Sequence, residues 1–190
     1  MKTLYIIAGC NGAGKTTASL TMLPEIWKCR EFVNADEIAR GLSPFNPESM
    51  AIEAGRIMLR RIDDLLKGNE SFSIETTLST RSYAKTIEKA HENGFSVQLL
   101  FFWLPTPETA IERVKQRVIE GGHNIPVDVI RRRYAAGIKN LFEIYMDIVD
   151  SWMLVENQNN PRIIIARGGT ESATKILNNE LFNQLRTYVR

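Results

Sequence analysis

The stretch Gly9-Cys10-Asn11-Gly12-Ala13-Gly14-Lys15-Thr16 constrains this chain more than any other feature. It fits the pattern G-x-x-x-x-G-K-[ST] and follows directly on Leu4-Tyr5-Ile6-Ile7-Ala8, an apolar run without alternation. Such a run reads as a strand buried on both faces, as in a parallel sheet. From Gly14 to about Leu23 the chain reads as a helix, with Pro24 as its expected stop. Strand, glycine turn and helix in this order make an anion site. The glycines let consecutive N–H groups point inward, and the helix adds the positive end of its dipole. Lys15 is expected on the β- and γ-phosphates of a nucleotide and Thr16 on Mg²⁺. Gly9, Asn11, Gly12, Ala13, Gly14 and Thr17 frame the loop. ATP and Mg²⁺ are therefore the expected cofactors. Cys10 lies inside this loop, where amides and a helix N-terminus can lower a thiol pKa; a small side chain that simply fits is the preferred reading.

The rest of the chain alternates apolar runs with helical patterns. Glu31 to Asn34, Phe72 to Glu75, Val97 to Leu104 and Arg162 to Ala166 read as strands. Asn46-Pro47 and Thr106-Pro107 look like caps followed by proline at the first helical position. The first of these opens a helix that should reach Gly68, the second one that should reach about Glu120. A helix is also expected from near Thr80 to Gly94, a long one from Val127 to Asp150, and an amphipathic one marked by Leu177, Leu181, Leu185 and Tyr188. Residues Ser151 to Val155 are ambiguous. Strands alternating with helices mean βαβ units. The expected fold is α/β, a P-loop NTPase fold with three αβα layers, a central, mostly parallel sheet and a lid after residue 120, in a single domain spanning 1–190.

Composition removes several other classes. Of the 190 residues, 44% are hydrophobic and 24% charged, which suits a globular core and not a disordered chain. A net charge of +2 is too balanced to predict nucleic-acid or membrane binding. Two cysteines make no disulfide framework, and two histidines without metal spacing make no zinc fold. The N-terminal apolar run is too short for a signal sequence, and Val97 to Leu104 cannot span a bilayer. A cytoplasmic location is expected.

Candidate chemistry lies beyond the loop. Asp36 follows the second strand, where a carboxylate can deprotonate an acceptor hydroxyl; it stands equally well as the N-cap of a helix through Glu37-Ile38-Ala39-Arg40. Glu75 ends the third strand before Thr76-Thr77, and suits either substrate hydroxyls or water on Mg²⁺. Arg113 and Arg117 are one helical turn apart without an acid at that spacing, which suits an anionic ligand. Arg131-Arg132-Arg133 faces three directions on a helix, so at most two can reach one site. Gly121 to Pro126 reads as a lid with glycine hinges, flanked by arginines within about 117–133. Arg60 with Asp64 reads as an exposed helix ion pair.

With these blocks in view, the chain resembles the zeta toxin family of bacterial P-loop kinases. The specific part is Asn34-Ala35-Asp36-Glu37-Ile38-Ala39 and Ser73-Ile74-Glu75-Thr76-Thr77-Leu78-Ser79. Glu112-Arg113-Val114, Arg117-Val118, Gly121-Gly122-His123-Asn124-Ile125-Pro126 and Arg132-Arg133-Tyr134 add to it, over roughly residues 1–166. The resemblance implies transfer of the ATP γ-phosphate to a sugar nucleotide such as UDP-N-acetylglucosamine. It makes Asp36 the general base, sets Lys15 and Arg117 on the transferring phosphate, and lines the acceptor pocket with Glu75 and Thr77. Arg81, His123 and Arg132 complete the acceptor-side candidates. The family's second lid arginine has its nearest counterpart here at His123 or Asn124, so one of Arg131 to Arg133 has to serve. The resemblance also implies an antitoxin protein as partner. The competing readings are a polynucleotide or nucleoside kinase, and a nucleotide-binding toxin–antitoxin component that acts through a protein partner.

Overall fold

A computed structural model describes residues 2–122 and 124–189. Its centre is β1 (Thr3–Gly9), where successive side chains are nearly all buried, so both faces of the sheet are covered there. β3 (Phe72–Thr76) and β4 (Ser96–Trp103) flank β1, both parallel to it. β2 (Glu31–Val33) adds outside β3 and β5 (Ser151–Glu156) outside β4, again parallel. β6 (Ile163–Gly169) and β7 (Ser172–Ile176) then extend the sheet antiparallel, giving the order β2-β3-β1-β4-β5-β6-β7. The sheet is thus mostly parallel, as expected. Its five parallel strands end at one edge, and the loops after β1, β2, β3, β4 and β5 all emerge there.

The helices follow the sequence signals with instructive differences. α1 (Lys15–Glu25) carries Pro24 inside its last turn instead of stopping before it. α2 (Ala35–Leu42) is capped by Asn34, whose side chain accepts the Asp36 N–H; Asp36 is not the cap. Pro47–Met50 is a 3₁₀ turn leading into α3 (Ala51–Leu66), so the proline opens a helical segment but Asn46 makes no side-chain cap. α4 is Tyr83–Glu92, and α5 is Pro107–Ile119, capped by Thr106 as read. The long helix is α6 (Val127–Asn140), a π turn over Leu141–Tyr145, and the short α7 (Met146–Ile148). α8 (Asn179–Arg186) starts at an Asn178 cap, one residue after the exposed Leu177. Arg60 pairs with Glu53 at 3.6 Å and Asp64 with Lys67 at 3.4 Å, so the Arg60–Asp64 pairing read from spacing gives way to other exposed partners one or two turns away. Among the described residues, no helix is long and apolar enough to cross a membrane.

Two contacts register the helices that matter below. The ring of Trp27, just past α1, stacks on Tyr5 of β1 with centroids 4.6 Å apart. The Tyr134 hydroxyl of α6 accepts from Trp103 Nε1 at 3.0 Å and donates to the Leu104 carbonyl at 2.7 Å, all within the core. That pair fixes the rotation and height of α6 against the end of β4.

Candidate active site

The phosphate loop is formed by strain that only glycine accepts. Gly14, the residue before α1, has φ +79°, and a Cβ there would fall 2.6 Å from Asn157 Nδ2. Gly9 has φ +137°, with the Phe102 carbonyl oxygen 2.1 Å from where a Cβ would stand. Lys15 is buried; its Nζ donates to the Cys10 carbonyl at 3.0 Å and lies 3.6 Å from Glu75 Oε1. Burial pushes the Cys10 thiol up to about 11, against the smaller opposing pull of Lys15. The preferred reading of Cys10 as a packing side chain fits this shift.

β3 brings Glu75 beside the loop because it pairs in register with β1, Ile7 opposite Glu75. Thr16 Oγ1 donates to Glu75 Oε2 at 2.8 Å. Asn34 Nδ2 donates to the same oxygen at 2.9 Å, and Asn34 Oδ1 accepts the Asp36 N–H at 2.8 Å. Asp36 itself is exposed at the first turn of α2. Two cavities meet there. One, of about 340 Å³, is lined among others by Lys15, Glu75, Thr77 and Tyr83. The other, of about 320 Å³, runs under Pro47 and Ala51 to Asn124, Ile125 and Pro126. Asp36 and Arg133 line both.

The loop after β3 is pinned from α6 and the π turn. Leu78 is fully buried at φ +54°, a strained value for a branched side chain. Asn140 Nδ2 donates to the Leu78 carbonyl at 2.8 Å, and the Tyr145 hydroxyl to the Thr80 carbonyl at 2.6 Å. Burial pushes the Tyr145 phenol up to about 12, so it stays a donor at neutral pH. Thr77 Oγ1 bonds Ser79 Oγ at 2.9 Å.

The candidate residues separate spatially. Lys15, Thr16, Asp36, Glu75 and Thr77 come together. Of the three consecutive arginines, Arg133 reaches this group, with Nη1 3.5 Å from Asn11 Oδ1. Arg131 pairs with Glu108 at 2.6 Å, and Arg132 is exposed and lines neither cavity. Arg81 is exposed, pairs with Glu143 at 3.8 Å and lines neither cavity. Arg117 sits in the last turn of α5, its stem against Gly122 where the 121–126 loop begins. His123 lies outside the described residues. Sequence reading also missed the parts of Asn34, Asn140 and Tyr145. For Arg133 a signal existed: Ile130, Arg133 and Gly137 share one stripe at helical spacing, and Ile130 and Gly137 are buried.

A third cavity, of about 610 Å³, lies beside the phosphate loop between Gly14, Thr17, Arg113 and the 157–162 loop. Asn157 ties that loop to the phosphate loop, donating to the Ala13 carbonyl at 2.7 Å and accepting from Arg162 Nε at 2.7 Å. The fully buried Glu156 carboxylate accepts from the Gln158 N–H and from Asn159 Nδ2. Arg113 Nη2 donates to the Gln158 carbonyl at 3.3 Å.

Comparison with known proteins agrees with this architecture. The zeta toxin family matches over residues 1–165. An uncharacterised protein of Haemophilus influenzae is 33% identical over 126 residues, which are 66% of this chain and 88% of that protein. The crystal structures of AvrRxo1-ORF1:AvrRxo1-ORF2 superpose on 97% of this chain at 19% identity, with a TM-score of 0.81 with sulphate ions and 0.78 with ATP. This chain spans 63% of the length of that one. The PezAT toxin–antitoxin system of Streptococcus pneumoniae superposes on 99% of this chain at 18% identity and TM-score 0.68, covering 78% of its counterpart. At these identities the structural likeness shows the fold.

Proposed function

This chain belongs to the zeta toxin family, and from that premise we propose that it is an ATP-dependent kinase that phosphorylates a hydroxyl of a sugar nucleotide such as UDP-N-acetylglucosamine. The observation that carries the reading is the junction of the two cavities. There an exposed carboxylate, Asp36, and a cation, Arg133, line both cavities, and Lys15 and Glu75, the latter bonded to Thr16, line one of them. A phosphoryl donor on one side and an acceptor hydroxyl on the other would meet at that point.

In this reading the acceptor oxygen attacks the γ-phosphorus, its proton passes to Asp36, and the bond to the β-phosphate oxygen breaks to release ADP. Lys15 and Arg133 face the charge that builds on the transferring group, and the residues lining the two cavities position the acceptor. Arg117, at the root of the loop whose Asn124, Ile125 and Pro126 line the cavity, is the second arginine of this reading on the transferring phosphate. Thr16 and Glu75 offer hard oxygen donors 2.8 Å apart at the phosphate loop, a set that suits Mg²⁺ and not a soft metal. Bound there, Mg²⁺ would neutralise phosphate charge. Glu75 thereby serves the metal side, and Thr77 is left to the acceptor. The cavity between Arg113 and the 157–162 loop is on the opposite side of the phosphate loop and takes the donor nucleoside. The AvrRxo1-ORF1:AvrRxo1-ORF2 structure with ATP supports ATP as the donor.

A polynucleotide acceptor would want a basic strip, and the three arginines do not make one, since Arg131 is paired and Arg133 turns inward. The PezAT toxin–antitoxin system supports a protein antitoxin as partner. The test is transfer from γ-labelled ATP with Mg²⁺ to a panel of UDP-sugars, nucleosides and oligonucleotides, read by mass. A UDP-sugar carrying one added phosphate supports the reading. Phosphate appearing only on nucleosides or oligonucleotides refutes it.

A further inference from the structure

The buried amide of Asn34 joins two groups that the proposed reaction uses for different purposes. Its Oδ1 accepts the Asp36 N–H at 2.8 Å, and its Nδ2 donates to Glu75 Oε2 at 2.9 Å. Asn34 is only 6% exposed. Glu75 Oε2 also accepts from Thr16 Oγ1 at 2.8 Å, while Oε1 faces Lys15 Nζ at 3.6 Å. A line of hydrogen bonds therefore runs from Thr16 through Glu75 and Asn34 to the backbone of Asp36, across the ends of β1, β3 and β2.

The amide fits this place in one orientation, oxygen toward the N–H and nitrogen toward the carboxylate. Capping by itself does not demand asparagine, because serine, threonine and aspartate cap as well. What those residues lack is a side-chain N–H that can be aimed at Glu75 while an oxygen stays on Asp36. Were the Thr16 hydroxyl to serve a metal in place of Glu75, the bond from Asn34 would still hold Oε2.

We propose that Asn34 is a positioning residue. It holds the Glu75 carboxylate on the Thr16 side for the metal-bound nucleotide, and with the same amide it fixes the first turn of α2 that carries Asp36. The inference rests on the reading of Thr16 and Glu75 as the metal-side pair. It adds a residue that links the donor half of the site to the acceptor half.

The experiment compares wild type, Asn34→Ser, Glu75→Gln and the double variant. Affinity for a non-hydrolysable ATP analogue is measured by calorimetry with and without Mg²⁺, together with melting temperature. Asn34→Ser retains a cap, so its melting temperature should stay within about 3 °C of wild type. Its affinity without Mg²⁺ should be unchanged. The gain in affinity on adding Mg²⁺ should fall about tenfold, the scale of one hydrogen bond to a carboxylate. Glu75→Gln should lose the gain as well, and the double variant should be no worse than Glu75→Gln, because both act through one carboxylate. Asn34→Ser with the full wild-type Mg²⁺ gain, or an additive double variant, would overturn the positioning role alone. A wild-type protein with no Mg²⁺ gain would overturn the metal-side reading of Thr16 and Glu75, and this inference with it.

Discussion

Replacing Gly137 by alanine sets two effects of opposite sign against each other. On helix propensity alone the change stabilises α6 by about 1 kcal/mol. The contact says otherwise. A Cβ at position 137 would lie 2.4 Å from the Thr77 carbonyl oxygen. An ordinary contact is about 3.4 Å or more, so helix and loop must part by about 1 Å. Neither yields easily. The loop is held by Asn140 on Leu78, Tyr145 on Thr80, and Thr76 Oγ1 on the Leu78 N–H at 3.0 Å. The helix is held by Tyr134 between Trp103 and Leu104. Overpacking of this kind costs about 1–3 kcal/mol. The net is a loss of about 1 kcal/mol, or a melting temperature lower by about 2–4 °C for a chain of this size. The functional effect is larger, because Thr77 and Thr80 line the cavity. A displacement near 1 Å at the acceptor should slow transfer by about 10²-fold. ATP affinity should not change, since the phosphate loop is untouched. Thermal unfolding, calorimetry with ATP and γ-labelled transfer check the three parts. A raised melting temperature with undiminished transfer would refute the account of α6 as the clamp on this loop.

Two further expectations follow from the same geometry. Arg133→Ala should reduce transfer by about 10²–10³-fold, and Arg132→Ala by no more than a few-fold; labelled-phosphate transfer under saturating ATP distinguishes them, and equal losses would contradict the inward placement of Arg133. Burial raises the Cys10 thiol from 9.0 to about 11. The unfolded chain releases that proton first, so this contribution to stability is fully present below pH 9 and is lost as pH rises toward 11. Denaturant titrations across that window should show an alkaline loss that is smaller by about 2–3 kcal/mol in Cys10→Ala. An identical slope in the variant would show that the thiol is not the group responsible.

The sequence made part of this legible because some signals are local. Gly9 to Thr16 between an apolar run and a helix specifies β1, the loop and α1 before any tertiary contact is known. The buried runs of β3 and β4 are equally plain. β7 left no trace because every residue from Ser172 to Ile176 is exposed, so no apolar pattern marks it. The ambiguity of Ser151 to Val155 has a different cause. Ser151 and Met153 are half-buried while Trp152, Leu154 and Val155 are buried, so the alternation lasts only four residues, and a run that short is decided by its neighbours in the sheet. The short connection from β5 to β6 did carry a usable signal, since it cannot hold the helix that a parallel crossover needs. At the site, Asn34 and Asp36 are both good caps, and spacing cannot choose between them. The choice falls to Asn34 because β2 ends at Val33, which leaves the carboxylate of Asp36 to face the cavities. Asn140 and Tyr145 act on carbonyls more than sixty residues away in the chain, a relation that no local pattern contains.

The central claim is that Asp36 takes the acceptor proton while the phosphate loop holds the donor independently of it. Single-turnover transfer from γ-labelled ATP to UDP-N-acetylglucosamine, compared between wild type, Asp36→Asn and Asp36→Ala alongside calorimetric ATP affinity, tests it most directly. The account predicts ATP affinity within about twofold of wild type and transfer slowed by about 10²–10⁴-fold in both variants. Transfer at the wild-type rate in Asp36→Asn would contradict it.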